Sequence, residues 1–187
     1  MNPLTHWMVG WSVAELTPLA RRDRAFVAWA GLLPDADGLG ILVDFVTGTH
    51  PSVGLYGQYH HVLGHNVAVA VVASGLAFGL AERRAICALL VGASFHLHLL
   101  GDLVGSAGPN GSIWTLAYLY PFDDRTFGWQ GQWELNAWPN LVISAALLAW
   151  LVGLGVRRGR TPVELVSPRA DARVVAALRA RFAGSPA

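Results

Sequence analysis

Lysine is absent from this 187-residue chain: all thirteen basic residues are arginine. Charge of either sign is scarce, at 13% of residues against roughly 25% in soluble domains. Thirteen basic and twelve acidic residues leave a net charge of +1, so there is no electrostatic case for nucleic-acid binding. A single cysteine, Cys87, excludes an internal disulfide, and its place inside an apolar run marks it as a small packing residue. No basic residue precedes Arg21, so the first apolar stretch lacks the charged leader of a secretory signal and reads as a retained helix. The chain has no internal repeat, heptad array or low-complexity tract. It has instead 53% apolar residues, eight tryptophans and a positive mean hydropathy, the composition of a membrane protein.

The apolar runs define the expected architecture. Leu4–Ala20 ends before Arg21-Arg22-Asp23-Arg24, and Ala25–Leu33 is stopped by Pro34, because proline disfavours helix in the residue before it. Val62–Ala81 and Ala85–Val104 are membrane-length runs of about twenty residues separated by Glu82-Arg83-Arg84. A short apolar segment, Leu39–Val46, suits an interfacial helix, and Leu141–Val156 is the last span. Gly105–Trp138 is a polar, aromatic insert in which Ile113–Tyr118 reads as a short strand. Beyond Arg157 the tail is basic, and Val163–Phe182 suits a surface helix. The expected fold is therefore an all-α polytopic membrane bundle of about five membrane segments with an outer Trp-rich insert. Residues 1–160 form the embedded domain and 161–187 a basic tail.

Arginine placement predicts orientation. The clusters at 21–24, 83–84 and 157–160 fall at alternate ends of successive runs, so all lie on one side if each run crosses. With the tail, twelve of the thirteen arginines share that side, Arg125 being the exception, and the positive-inside rule makes it cytoplasmic. The chain is then a multi-pass protein of the inner or plasma membrane, with its N-terminus outside and its C-terminus inside.

The same topology sends His6, Asp35, Asp37, His60, His61, His65, His98 and Asp102, from four separate segments, to the outer ends. Asp102 would sit about 27 Å along the helix axis from Arg84. His98 and Asp102 are four residues apart and share one helical face. A carboxylate inside a membrane helix costs roughly 2.5–3.5 kcal/mol on insertion scales, which marks it as functional. Imidazole and carboxylate together are ligands for divalent metals, and the set is large enough for more than one. An ion or proton pathway would need polar groups continuing toward the cytoplasmic half, and Ala68–Leu80 and Ala85–Ser94 offer few.

Five short motifs occur in order: Thr5-His6 with Gly10 following, Leu33-Pro34-Asp35-Ala36-Asp37, His60 to His65 with Asn66, His98-Leu-Leu-Gly-Asp102, and Tyr120-Pro121-Phe122-Asp123-Asp124-Arg125. Over about residues 4–155 the chain resembles the bacterial and archaeal family of predicted membrane-bound metal-dependent hydrolases, which includes LexA-regulated inner-membrane proteins. The His-x-x-x-Asp element is more remotely similar to that of zinc-dependent phospholipase C. The resemblance implies a helical membrane fold and a divalent-metal site, zinc or else manganese or magnesium, with His6, Asp35 or Asp37, His60, His65, His98 and Asp102 as ligands. The chain departs from the family pattern at His61, where arginine is usual, at Gly64 and Asn66, which replace threonine and serine, and at Tyr120, which replaces tryptophan. His96 is an additional histidine.

Helical spacing pairs His61 with His65, whereas the resemblance pairs His60 with His65, and both stay open. His96, two residues from His98, points roughly 160° away and reads as a packing residue. His50, before Pro51, reads as solvated. Arg125 is a candidate for gripping a substrate phosphate, or else a loop ion pair with Asp123, Asp124 or Glu134. Trp7, Trp114, Trp129, Trp133 and Trp138 suit an outer aromatic belt. The function expected is hydrolysis of a phosphoester in a lipid or lipid-linked substrate, with Asp35 or Asp37 as metal ligand and proton acceptor. The alternatives are a non-enzymatic membrane protein with a structural metal or an ion path, and a scaffold acting through the arginine-rich tail.

Overall fold

A computed structural model describes residues 1–108 and 111–182. Residues 109–110 of the insert and 183–187 of the tail lie outside the described residues. Among the described residues eight α-helices carry the fold: α1 (Pro3–Ala14), α2 (Arg21–Ala30), α3 (Gly40–Thr47), α4 (Leu55–Tyr59), α5 (Val67–Leu80), α6 (Arg84–Gly105), α7 (Trp138–Arg158) and α8 (Pro168–Phe182). Two 3-10 helices, Pro34–Leu39 and Pro162–Leu165, precede α3 and α8. The expected strand at Ile113–Tyr118 does not form; among the described residues of the insert the only extended pairings are the isolated bridges Leu116–Phe127 and Ala107–Glu134. Gly105–Trp138 is too rich in glycine, proline and turn residues to sustain a ladder.

α6 and α7 are long and apolar enough to cross a membrane, and α2 joined to the Pro34–Thr47 segment passes the same test as a span bent by 63°. Two or three membrane-capable helices therefore stand where five segments were expected. α1 has 12 residues and α5 has 14, both short of the roughly 20 that a bilayer core requires. Local chemistry sets these limits. Asn2 caps α1 by accepting from Thr5 N, with Pro3 opening the first turn, and Asn66 caps α5 by accepting from Val69 N.

α6 is the central helix, packing on α1, α2 and α5. Cys87, Val91, Phe95 and Leu99 recur at four-residue steps and form its buried stripe. Small residues let the neighbours approach closely. A Cβ on Gly10 would lie 2.6 Å from Ala28 O, and one on Gly31 would lie 2.8 Å from His6 O.

The two ends of the bundle differ in chemistry. At one end the arginine clusters are tied to buried acids. Asp23 accepts from the backbone N–H groups of Glu82 and Arg83 at 3.0 and 2.9 Å. Glu15 accepts from Arg158 and Arg160, each at 2.8 Å, and Arg24 pairs with Glu164 at 2.7 Å. The beginning of the expected tail is thus pinned to the bundle. At the other end lie the N-terminal turn of α1, the C-terminal half of α6 and the Asp35–Asp37 segment. The Trp-rich insert folds over this second end, with Gln132 Nε2 donating to Asp102 O at 3.0 Å and Val67 N donating to Tyr118 O at 2.8 Å.

Candidate metal centre

The helical period brings His98 and Asp102 together on α6, with His98 Nε2 2.9 Å from Asp102 Oδ2. The turn preceding α5 carries His65, whose Nε2 lies 3.1 Å from His98 Nε2 and 3.4 Å from Asp102 Oδ2. The 3-10 helix after α2 adds Asp35, with Oδ1 3.6 Å from His98 Nε2 and 3.9 Å from His65 Nε2. One ligand atom from each of these four side chains falls within 4.8 Å of every other.

The Nδ1 atoms of both imidazoles face acceptors outside the cluster, and their Nε2 atoms face into it. His98 Nδ1 donates to Gly31 O at 2.8 Å, a partner that can only accept, so Nε2 is the ring nitrogen turned toward the cluster. His65 Nδ1 donates to Asp37 Oδ2 at 3.0 Å, which turns Nε2 toward the cluster. Against burial, which lowers it, Asp102 and Asp37 together raise the ring's pKa to about 9, so a cation would replace the Nε2 proton. Asp102 Oδ1 accepts from His6 Nε2 at 3.0 Å, from Ser106 Oγ at 2.8 Å and from the Met1 amine. Asp102 Oδ2 and Asp35 Oδ2 are buried and make no hydrogen bond. Bare lone pairs and a carboxylate oxygen at such separations repel one another unless a proton or cation lies between them. Ligand atoms on a tetrahedral cation with bonds of about 2.0–2.1 Å lie about 3.3 Å apart, close to the 2.9–3.4 Å separations of His65, His98 and Asp102. The donor set fits a divalent cation.

The other sequence-predicted residues surround this group in distinct roles. His6 stacks on His98, ring centroids 3.7 Å apart, and holds Asp102 from behind. Asp37 faces backward: Oδ1 accepts from His60 Nδ1 and Oδ2 from Gly64 N, each at 2.8 Å, in addition to His65. It orients two imidazoles as a supporting carboxylate does in metal sites. Of the two aspartates in this turn, Asp35 has the oxygen without a partner. Gly64 admits this arrangement, because a Cβ there would lie 2.2 Å from Pro34 O. The side chain that a threonine would bring has no room in this loop.

His60 and His61 sit in a turn, and helix begins only at Val67, so helical spacing does not relate His61 to His65. His61 is the one described non-glycine residue with positive φ, at 70°. Such a backbone costs roughly 1–2 kcal/mol for an L-residue. Its ring is buried edge-on against Trp114, centroids 4.2 Å apart, and its Nδ1 has no partner. Burial pushes the His61 imidazolium down to about 2, with His65 beside it adding to the shift, so the ring is neutral.

Asp35, His60, His61 and Asp102 line one cavity of about 590 Å³, whose other walls include Leu39, Ile41, Trp114 and Leu135. Arg125 is not among the lining residues. It is 74% exposed and bonds Asp123 through Nε and Nη2, each at 2.7 Å, holding that carboxyl below its usual range. His96 bonds Gly92 O and Tyr118 Oη, and His50 bonds Ser52, so both lie outside the group. Trp114 serves the cavity wall, and Trp133 donates to Asn140 Oδ1 at 3.0 Å. Ser106 was not singled out from sequence, although it lies four residues beyond Asp102 and continues the same helical face. The Gly31 carbonyl carries no sequence signal of its kind, since any residue supplies one.

Comparison with known protein families, curated proteins and solved structures finds no match.

Proposed function

We propose that this protein is a membrane-embedded, metal-dependent hydrolase that cleaves a phosphoester bond in a lipid or lipid-linked substrate. The observation that carries the reading is the convergence of Asp35, His65, His98 and Asp102, with the Nδ1 atoms of both histidines held by acceptors outside the group. A bound divalent cation, zinc or else manganese or magnesium, supplies Lewis acidity, which activates water near neutral pH and polarises a phosphoryl oxygen.

The residues supply the rest. His65, His98 and Asp102 would hold the cation, oriented by Asp37, the Gly31 carbonyl and His6. Asp35, which lines the cavity, would contribute Oδ1 and has a second, unpartnered oxygen available to accept a proton from water. Apolar walls at Leu39, Ile41 and Leu135 limit water and suit the hydrocarbon part of a lipid. The order of the five sequence motifs supports the same class. By the positive-inside rule the site faces outward and the arginine-rich end faces the cytoplasm.

The test is metal analysis of the purified protein, followed by turnover of phosphodiester and phosphomonoester lipids with zinc or manganese. Hydrolysis that is lost in His98→Ala and Asp102→Ala is the expected result. Wild-type protein without stoichiometric divalent metal would sink the site. Bound metal without turnover of any lipid would favour a structural metal or an ion path.

A further inference from the structure

The centre formed by Asp35, His65, His98 and Asp102 leaves two neighbouring imidazoles, His60 and His61, unused. His60, His61 and His65 also bring ligand atoms within 4.8 Å of one another, so the two groups adjoin at His65. His60 has committed Nδ1 to Asp37, which leaves Nε2 as its available ligand atom. His61 is 5% exposed, and its Nδ1 finds no partner. A packing role explains its ring against Trp114 but not the bare nitrogen, because buried polar atoms are nearly always hydrogen-bonded. Nor does packing explain why a histidine occupies a left-handed backbone position that glycine would occupy at less cost. Asp35 Oδ2 is likewise buried without a partner. His60, His61 and Asp35 all line the same cavity.

We infer that His60 and His61 form a second divalent-cation subsite beside the first, with the Asp35 carboxylate bridging the two. The inference rests on the reading of the first centre as a metal site. One Asp35 oxygen lies toward His65 and His98, and the other is buried without a partner in a residue that lines the same cavity as His60 and His61; in the two-cation state it serves as a ligand and not as the proton acceptor. Two imidazoles and one shared carboxylate are a donor set for zinc or manganese. A pair of cations sharing a carboxylate is an arrangement suited to in-line displacement at phosphorus. It also gives His61 a role that its backbone strain and bare nitrogen otherwise lack.

The test is stoichiometry. Metal-free protein in detergent is titrated with zinc by calorimetry, and bound metal is counted after gel filtration. In parallel the protein is loaded with manganese(II) for electron paramagnetic resonance. Two ions per chain and a spin-coupled manganese pair are expected for the wild type. His61→Gly suits the left-handed backbone, so it should fold as well as the wild type while binding one ion and showing an uncoupled manganese signal. His60→Ala should behave in the same way. One ion per chain in the wild type, or two in His61→Gly, would overturn the second subsite and leave the first standing. No bound ion in the wild type would overturn both.

Discussion

His65 and His98 meet Nε2 to Nε2 at 3.1 Å, and each has given its other ring nitrogen to an acceptor: Asp37 for His65 and the Gly31 carbonyl for His98. Two imidazoles held in this way are pre-oriented toward a common point, and the Asp102 Oδ2 lies beside it. The centre is assembled as much by these outward hydrogen bonds as by the four converging side chains.

Asp37→Asn tests that statement. The amide keeps the volume but loses the charge and one accepting oxygen, so one of the two histidine contacts is lost. Zinc affinity measured by calorimetry should fall by about 10–100-fold, the usual cost of removing a supporting carboxylate. His98→Ala, which removes a ligand, should abolish binding at the first centre. Equal affinity in Asp37→Asn and the wild type would show that the orientation is set elsewhere.

Metal should stabilise the folded protein by mass action. At a free concentration about 100 times the dissociation constant, the gain is about 2.7 kcal/mol. Thermal melts in detergent should therefore shift upward with zinc and back with chelator. His98→Ala should show a much smaller shift. A wild-type melt indifferent to chelator would count against a cation in the native state.

Gly64→Ala should damage the site while leaving the helices intact. The added carbon would meet the Pro34 carbonyl oxygen at 2.2 Å, so the loop carrying His65 must move away from Asp37. The expected outcome is unchanged helical circular dichroism with loss of bound zinc. Retention of full affinity would mean that the loop tolerates the shift.

Asp23→Ala acts at the opposite end of the bundle. It leaves the Glu82 and Arg83 backbone donors without their acceptor at the start of α6, a loss of about 1–3 kcal/mol. Unfolding in denaturant should show this destabilisation, and metal content measured on the folded fraction should not change. Metal loss in the folded fraction would couple the two ends.

Arg125→Ala should leave both the melting temperature and the bound metal unchanged. Its partner is a neighbouring exposed aspartate, and such surface pairs contribute little. A fall in lipid turnover with metal intact would instead return Arg125 to a substrate-contacting role.

Much of the frame was legible in the residues. The apolar runs ending at Val104 and Val156 became α6 and α7, because hydrophobic length is a property of the local chain. His98 and Asp102 were paired by helical spacing alone, since a regular period fixes which side chains share a face. Five membrane segments were not legible in the same way. Apolar composition continues through Leu4–Ala20 and Val62–Ala81, but helix length there is cut by caps and turns at Asn2, Glu15, Asn66 and Ala81.

By itself, then, the sequence determined a membrane-capable helical chain, arginines gathered toward one end, and a histidine–carboxylate set gathered toward the other. Only the tertiary structure decided the parts within that set. Asp37 faces His60 and His65, whereas Asp35 keeps an oxygen free; His6 supports Asp102 from behind; and His61 is held in a left-handed turn rather than on a helix. The physical reason is the range of the forces involved. Helical period and hydrophobicity act between near neighbours, but the direction of a histidine in an aperiodic turn is set by a hydrogen bond to a carboxylate 28 residues away. That choice exists only once the two segments are packed together.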